Sequence, residues 1–400
     1  MDHMLKKLLS VPVRYQLWRP LHWQLILADL FNRGGQPVRH HLTHLHGTID
    51  WLCRAQDVRV GHADSGGISA GWSFEDGWLP SYPETSGYIV ETFLDAAALL
   101  GRQELVTRAQ RILDWELSIQ LDDGAFPGHF GEQGSHPVIF NTGQIMHGMN
   151  AGHERLGRTE CLAAAVRAGH WMLSKQDDDG CWRRSVHNGI PHTYNSRSAW
   201  ALLKTGLLAD DRALRDGAIR NLDWVLTQQN EAGWFATNGF TPEGHAAPFT
   251  HTIAYAIRGL LESGLLLDDE RYINAARRAA GAVAAVLPAD GALPGTLDQQ
   301  WQSDSYYVCL TGVAQMSMIW SRLIRCCDEQ TLQPAVDRAL HYLKRHQRLK
   351  QDGRIDDGAI AGSSPLWGRY SMFEFPNWAG KFFADALMFD LAASARSKEQ

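Results

Sequence analysis

The sequence of 400 residues lacks the short motifs that mark most catalytic classes. It holds no GxGxxG, P-loop, HExxH or GxSxG pattern in a supporting context. Its six cysteines include no CxxC pair, and Cys326 and Cys327 are adjacent, which suits neither a zinc site nor a disulfide framework. Scattered thiols are typical of core residues in a reducing compartment, so we predict a cytoplasmic protein with neither metal nor cofactor.

The chain also lacks a strongly basic stretch. It has 38 Lys and Arg against 44 Asp and Glu, a net charge of −6, so we predict no nucleic-acid partner. The N-terminal segment has no long apolar run and no small-residue cleavage site, which indicates neither a signal peptide nor a membrane span. We predict that residues 1–36 are an extension packing across one end of the fold. A membrane surface is the alternative site for its apolar and basic residues: Leu5, Leu8, Leu9, Trp18, Lys6, Lys7 and Arg14.

An internal helical repeat occupies the rest of the chain. From about residue 37 onward apolar residues recur every three to four positions, as in amphipathic helices. In five of the six pairs one helix carries an aromatic residue followed five positions later by glutamine: Trp51/Gln56, Trp115/Gln120, Trp171/Gln176, Trp224/Gln229 and Tyr342/Gln347. The fifth unit, around residues 282–287, lacks both residues but keeps the glycine turn that follows. Glycine turns follow, as expected after a helix C-terminus: Gly124, Gly180, Gly233, Gly291 and Gly353.

The partner helices are apolar nearly all round and rich in alanine and glycine, so they should be buried on most faces. They begin near Ser86, Thr142, Ser196, His251, Thr311 and Trp378. Six buried helices that alternate with six amphipathic ones predict an all-α protein with an (α/α)6 toroid, formed by residues 37–396 as one domain.

The long connections of this toroid are rich in aromatic and polar residues. They lead into the N-terminal ends of the inner helices, where free backbone amides and the helix dipole favour an anion. Aromatic rings in such loops suit the apolar face of a sugar ring. We therefore predict a pocket on this face, with substrate-binding residues Trp78, Tyr88, Asn141, Gln144, His192, Asn195, Arg197, Trp234, Gln315, Trp367, Asn377 and Lys381.

Two catalytic arrangements follow from the order of the hairpins. Hairpins 1 and 6 are neighbours once the ring closes, which should bring Glu84 near Glu374. A carboxyl pair is what glycoside hydrolysis uses, one as acid and one as base or nucleophile. A purely structural role is the alternative for Glu84: its negative charge would compensate the dipole at the N-terminus of its helix.

Hairpins 3 and 4 supply the second arrangement. Here Tyr194, His251 or Tyr255 would be the base, and Arg197 would hold a uronate carboxylate, as in β-elimination or C5 epimerisation. A hydrogen-bonded core network is the structural alternative for these residues.

Five stretches carry a family resemblance: DGWLPSYPETSGY, RNLDWVLTQQNEAGWF, THTIAYAIRGLLESG, CLTGVAQMSMIW and FEFPNWAGKFFADAL. They resemble proteins of bacterial exopolysaccharide biosynthesis clusters, over about residues 60–395. The wider pattern is similar to the toroids of six-hairpin glycosidases and of squalene cyclases and prenyltransferases. The chain departs from the cyclases and prenyltransferases, since it has neither a DxDD acid motif nor a matching zinc-binding Asp, Cys and His.

These observations favour a carbohydrate-active enzyme that acts on a uronate-containing oligo- or polysaccharide, with glycosidic hydrolysis as the leading reaction. A polysaccharide lyase or C5-epimerase is the second interpretation. A non-catalytic polysaccharide-binding scaffold and an enzyme of terpenoid chemistry are the others. The oligomeric state does not follow from the sequence.

Overall fold

A computed structural model describes residues 11–128, 136–241 and 246–396. Helix α1, Pro20–Asn32, precedes the repeat. The outer helices are α2 His41–Asp57, α4 Glu104–Ile119, α6 Thr159–Lys175, α8 Arg212–Thr227, α10 Glu270–Ala285 and α12 Gln333–His346. The inner helices are α3 Pro83–Leu100, α5 Ile139–Leu156, α7 Ser196–Leu208, α9 Thr250–Leu267, α11 Leu310–Cys327 and α13 Asn377–Arg396.

The inner helices form a closed ring. Each packs against the next in the order α3, α5, α7, α9, α11, α13, and α13 packs against both α3 and α2. Every residue from Thr250 to Gly264 of α9 is buried, whereas α8 buries only one face, through Leu214, Ala218, Leu222 and Val225 among others. The (α/α)6 toroid is thereby confirmed, and each inner helix begins within three residues of its predicted start.

The repeated glutamine joins neighbouring outer helices. The Gln229 side-chain amide donates to the Gly233 carbonyl at 3.0 Å in its own turn and to the Ala275 carbonyl at 2.9 Å in α10. Gln176 makes the same two bonds one unit earlier, and Gln120 makes them two units earlier. The recurrence of glutamine at this position thus follows from its two amide hydrogens, which satisfy two backbone carbonyls at once.

The turn glycine is required because two backbones approach closely. Gly180 has φ +86°, and a Cβ there would lie 2.3 Å from the Arg220 carbonyl oxygen of α8. In the last unit this role belongs to Gly358, where a Cβ would lie 2.2 Å from the Gly47 carbonyl oxygen. The predicted turn glycine, Gly353, has open space around it, so in this unit the glycine at the close approach lies five residues later than predicted.

Short strands within the long connections link neighbouring hairpins. Strands β1 Gly71–Ser73, β2 Gly77–Trp78 and β5 Glu374–Pro376 form an antiparallel sheet in the order β2–β1–β5. Strand β3, Val308–Cys309, pairs with β4, Ser363–Ser364. The β1–β5 pairing joins the first and last hairpins on the long-loop face.

The described part of the N-terminal segment lies against these same connections. Arg14 forms an ion pair with Glu75 at 2.8 Å, and the backbone N–H of Leu366 donates to Asp29 at 3.2 Å. The division of the chain at residues 36 and 37 stays a prediction. None of the described helices is both long and apolar enough to cross a membrane.

Replacement of the repeated glutamine should weaken the ring. In a Gln229→Ala variant two carbonyls that Gln229 now satisfies lose their donor, at a cost of about 1–3 kcal/mol in the free energy of unfolding. Urea unfolding measures this loss. The control is Gln103→Ala, since Gln103 is exposed and its side chain does not cap α4. Equal stability of the two variants would contradict the role given to the amide.

Candidate active site at the inner helix N-termini

A cavity of about 250 Å³ opens where the inner helices begin on the long-loop face. Aromatic rings form most of its wall. The lining residues are Tyr82, Glu84, Tyr88, Phe140, Asn141, His187, Tyr194, Phe240, His251, Thr252, Tyr255, Tyr370, Ser371 and Trp378. Among the described residues, Glu84 is the only carboxyl group in this wall.

Glu84 lies in the first turn of α3 and is 91% buried, with 9% of its surface exposed. The Tyr82 hydroxyl donates to its carboxylate at 2.7 Å, and the Asn141 amide donates to the Tyr82 hydroxyl at 3.0 Å. Burial raises the pKa of Glu84 to about 7, although the Tyr82 hydrogen bond and the positive charge of Arg197 act in the opposite direction. A carboxyl group with this pKa can donate and accept a proton near neutral pH.

The tyrosines of the cavity are neutral phenols. Burial raises the pKa values of Tyr194 and Tyr255 above their usual range, and the nearby Glu84 raises them further. Both phenols therefore keep their protons at neutral pH and can donate hydrogen bonds. That Tyr194 or Tyr255 is a catalytic base stays a prediction. The hydroxyl of Tyr88 is buried without a hydrogen bond of standard geometry, although it lies close enough to Tyr255 to affect its pKa.

His251 is held as a neutral imidazole in one tautomer. Its Nδ1 lies 2.8 Å from the side-chain oxygen of Gln315, which can only accept, so Nδ1 carries the proton and Nε2 keeps a lone pair. Burial lowers the pKa of His251 to about 3, outweighing the Gln315 hydrogen bond that raises it. Gln315 thus orients the imidazole and does not line the cavity.

His192 packs against the ring of Tyr194. The two rings stack with centroids 4.2 Å apart, and Nε2 of His192 lies 2.9 Å from the His187 carbonyl oxygen. Burial lowers the pKa of His192 to about 4, so the ring is neutral. It is not one of the lining residues, so the predicted direct contact with substrate is not supported.

Arg197 lies beneath the cavity and is only 2% exposed. Its Nε donates to the Gln144 side-chain oxygen at 2.5 Å, and its guanidinium carbon lies 5.2 Å from the centroid of the Tyr255 ring. Arg197 supplies a positive field beneath the pocket but does not line it, so the predicted clamp on a carboxylate is not formed. Gln144 is correspondingly a support for Arg197.

Lys381 belongs to a second cavity, of about 200 Å³, on the other side of Arg197. Its ammonium group forms an ion pair with Asp385 and lies 5.3 Å from the centroid of the Tyr88 ring. The predicted contact of Lys381 with substrate in the first cavity is therefore not supported.

The predicted carboxyl pair is not formed. Glu374 lies on β5 opposite Ser73, and burial raises its pKa. Its charged neighbours are Glu75, Asp76 and Arg14, and it is absent from the cavity wall. Hairpins 1 and 6 are indeed adjacent, but the β1–β5 pairing places Glu374 in the sheet rather than beside Glu84.

The remaining predicted residues lie outside the cavity wall. Asn377 donates to the Ser69 carbonyl and to the Thr85 hydroxyl, both at 2.8 Å, and Asn195 is buried at the start of α7. Each of the three tryptophans has another packing partner: Trp78 contacts Trp51, Trp234 donates to the Leu297 carbonyl, and Trp367 stacks with Arg33.

Several lining residues had not been predicted as site residues: Tyr82, Phe140, His187, Phe240, Thr252, Tyr370, Ser371 and Trp378. Tyr82, Phe140 and Trp378 occupy the positions just before or just inside an inner helix, a signal that the sequence contains. Within the described part of the chain, no three His, Cys, Asp or Glu residues are grouped so as to hold a metal ion. That the protein needs no cofactor stays a prediction.

The fold and this cavity define an (α/α)6 toroid with a site at the inner helix N-termini. Residues 80–261, less than half of the chain, match the family model of the squalene-hopene cyclase C-terminal domain. No curated protein matches the sequence significantly.

Solved structures share the fold over most of the chain. An unsaturated glucuronyl hydrolase specific for heparin has a TM-score of 0.69 and 15% identity, over 89% of this chain and 98% of that one. The unsaturated glucuronyl hydrolase of Bacillus sp. GL1 has a TM-score of 0.68 and 13% identity, over 87% and 96%. The cellobiose 2-epimerase of Bacillus thermoamylovorans B4167 has a TM-score of 0.67 and 10% identity, over 87% and 97%. The resemblance to the glycosidase-like and cyclase-like toroids is thus confirmed for the fold.

The pKa of Glu84 predicts how stability depends on pH. Its value rises from 4.5 to about 7 on folding, so the folded state holds this proton more tightly than the unfolded state does. Relative to Glu84→Gln, the wild-type protein should be most stable below about pH 4.5 and lose about 3 kcal/mol as the pH rises through 7. Urea unfolding of both proteins across this range measures the difference, and a difference that does not vary with pH would contradict the assignment.

Proposed function

We propose that the protein is a carbohydrate-active enzyme that hydrolyses uronate-ended oligosaccharides, with Glu84 as its general acid. The observation that carries this proposal is the single buried carboxyl group of the cavity, with a pKa of about 7 and a phenol bonded to it. Its biological setting would be exopolysaccharide metabolism, as the sequence resemblance implies.

A site with one carboxyl group is better suited to the hydrolysis of an unsaturated uronide than to that of a saturated one. Hydrolysis of an ordinary glycoside uses two carboxyl groups, and this wall holds one among the described residues. A 4,5-unsaturated uronate contains an enol ether, whose hydration needs one acid that then becomes the base. Two of the structures that share this fold are named as unsaturated glucuronyl hydrolases.

The proposed reaction adds one water molecule. Glu84 gives its proton to C4, and the electrons of the C4=C5 double bond form the new C–H bond. Water attacks the resulting cation at C5 and returns a proton to the Glu84 carboxylate. The C5 hemiketal then opens, and C1 releases the alcohol of the neighbouring sugar. The cycle restores the acid, so Glu84 alone can supply both proton transfers.

The size and wall of the cavity favour one terminal sugar ring. Its volume of about 250 Å³ is below the roughly 300–1,000 Å³ of pockets for drug-sized ligands. The phenols of Tyr194 and Tyr255 can donate to sugar oxygens. Arg197 and the amide ends of α5 and α9 make the site favourable for a carboxylate.

Isoprenoid chemistry is the second candidate. It is favoured by the aromatic wall with one acid, and by the cyclase family model over residues 80–261. A cavity of about 250 Å³ could hold a short isoprenoid. This candidate predicts that Glu84 protonates a C=C bond of a short linear isoprenoid and so starts its cyclisation, with loss of a proton at the end, and it predicts no action on sugars.

The test uses unsaturated disaccharides and follows near-ultraviolet absorbance and reducing ends together. We expect absorbance to fall, and Glu84→Gln to lower kcat by about 100-fold or more while the fold is retained. Glu374→Gln is the matched control and should keep most of the activity, because Glu374 lies in the sheet.

Four outcomes would contradict the proposal. A rise in absorbance with acidic polysaccharides would indicate a lyase, and exchange of the C5 proton without cleavage would indicate an epimerase that uses His251. Full activity of Glu84→Gln would remove the proposed acid. Binding of glycans without turnover of any substrate would instead support a scaffold.

A further inference from the structure

Helix α1 presents an apolar face to solvent. Trp23, Leu27, Leu30 and Phe31 follow the spacing i, i+4, i+7 and i+8, which places them on one side of the helix. Phe31 is 80% exposed and Trp23 is 48% exposed. Of the 13 exposed large hydrophobic residues in the described ranges, eight fall between Val13 and Leu42. The apolar surface is therefore concentrated in one segment rather than scattered over the toroid.

The opposite face of α1 is already in contact with the protein. Leu25 and His22 are buried, and Leu21 and Ile26 pack against the core. Helix α1 is thus apolar on two sides, while the toroid covers only one of them. Packing on the toroid does not account for the outer face, because among the described residues it leaves 48% of Trp23, 44% of Leu27, 51% of Leu30 and 80% of Phe31 exposed.

The charge of the same segment differs from that of the whole protein. Residues 11–39 contain four arginines, Arg14, Arg19, Arg33 and Arg39, and one acid, Asp29, for a net charge of 4 − 1 = +3. The whole chain carries −6. All four arginines are exposed, but Arg14 forms an ion pair with Glu75 and Arg33 forms one with Asp29. Among the described residues, Arg19 and Arg39 are the two of these arginines that have no ion pair. Exposed tryptophans beside arginines, next to an apolar helix face, are characteristic of helices that lie in the interface of an anionic membrane.

We propose that helix α1 docks the protein onto the surface of a membrane that contains anionic lipids. Its outer face enters the headgroup region, with Trp18 and Trp23 at the interface and with Arg19 and Arg39 at the lipid phosphates. The helix has 13 residues, fewer than the roughly 20 that a bilayer-spanning helix needs, so it lies along the surface. The proposal does not depend on the reaction proposed above.

Docking in this way brings the membrane close to the cavity. The connection 366–376 bonds to the N-terminal segment through Leu366 and Asp29, and Tyr15 packs on Phe373 with centroids 4.8 Å apart. The same connection supplies Tyr370 and Ser371 to the cavity wall. In a docked protein, this one connection would therefore contact the N-terminal segment at the lipid surface and also form part of the cavity wall.

The test is co-sedimentation of the full chain with vesicles of phosphatidylcholine alone, and of phosphatidylcholine mixed with phosphatidylglycerol. We expect binding to the mixed vesicles that weakens as salt is raised. The double variant Leu27→Glu/Phe31→Glu should lose binding about tenfold or more, because two apolar anchors become acidic. The matched control is Leu266→Glu, since Leu266 is 43% exposed and Leu27 is 44% exposed. This control should bind as the wild type does.

Circular dichroism and urea unfolding show whether the double variant is still folded. Absence of wild-type binding to either vesicle would overturn the proposal, and so would unchanged binding of the double variant. Sedimentation velocity tests the alternative that a second copy of the chain covers this face. A wild-type dimer that Leu27→Glu/Phe31→Glu dissociates, together with no vesicle binding, would assign the face to a second copy of the chain.

Discussion

The two hydrogen bonds of the repeated glutamine amide connect five of the six turns of the toroid to the next outer helix. At Gln176 they reach the carbonyls of Gly180 and Gly217, and at Gln229 those of Gly233 and Ala275. A glycine in the turn lets the two backbones come close enough for this contact. The connection that follows each turn leads to the start of an inner helix. The position of the cavity therefore depends on these bonds, although no glutamine of the repeat lines it.

Burial of one carboxyl group is the basis of the proposed chemistry. The inner helices enclose Glu84 among aromatic rings, which raises its pKa, and the hydrogen bond from Tyr82 stabilises the carboxylate once the proton has left. The same burial keeps Tyr194 and Tyr255 protonated and His251 neutral. Arg197, below the cavity, is the positive charge that favours the Glu84 carboxylate, and under the proposed function it would also favour an anionic substrate.

The architecture could be predicted from the sequence because a repeat of hairpins leaves few ways to bury six apolar helices. The location of the site followed from the long connections. The contact partners of each side chain could not be predicted from the sequence, since they depend on strand register and on how deeply each side chain lies in the fold. Glu374 was expected beside Glu84, but backbone pairing with β1 holds it in a sheet. Arg197 occupies the first turn of α7 as expected, yet the Tyr88 and Tyr255 rings pack against it, and it does not line the cavity. Tyr82 could have been recognised from its place before α3.

The most direct measurement is a crystal structure of the Glu84→Gln variant soaked with an unsaturated uronate disaccharide. We expect the unsaturated ring to bind in the cavity, with C4 within hydrogen-bond distance of the side chain at position 84 and the second sugar toward solvent. An empty cavity, or a disaccharide bound only beside Trp234 or in another groove, would contradict the assignment of this cavity as the active site.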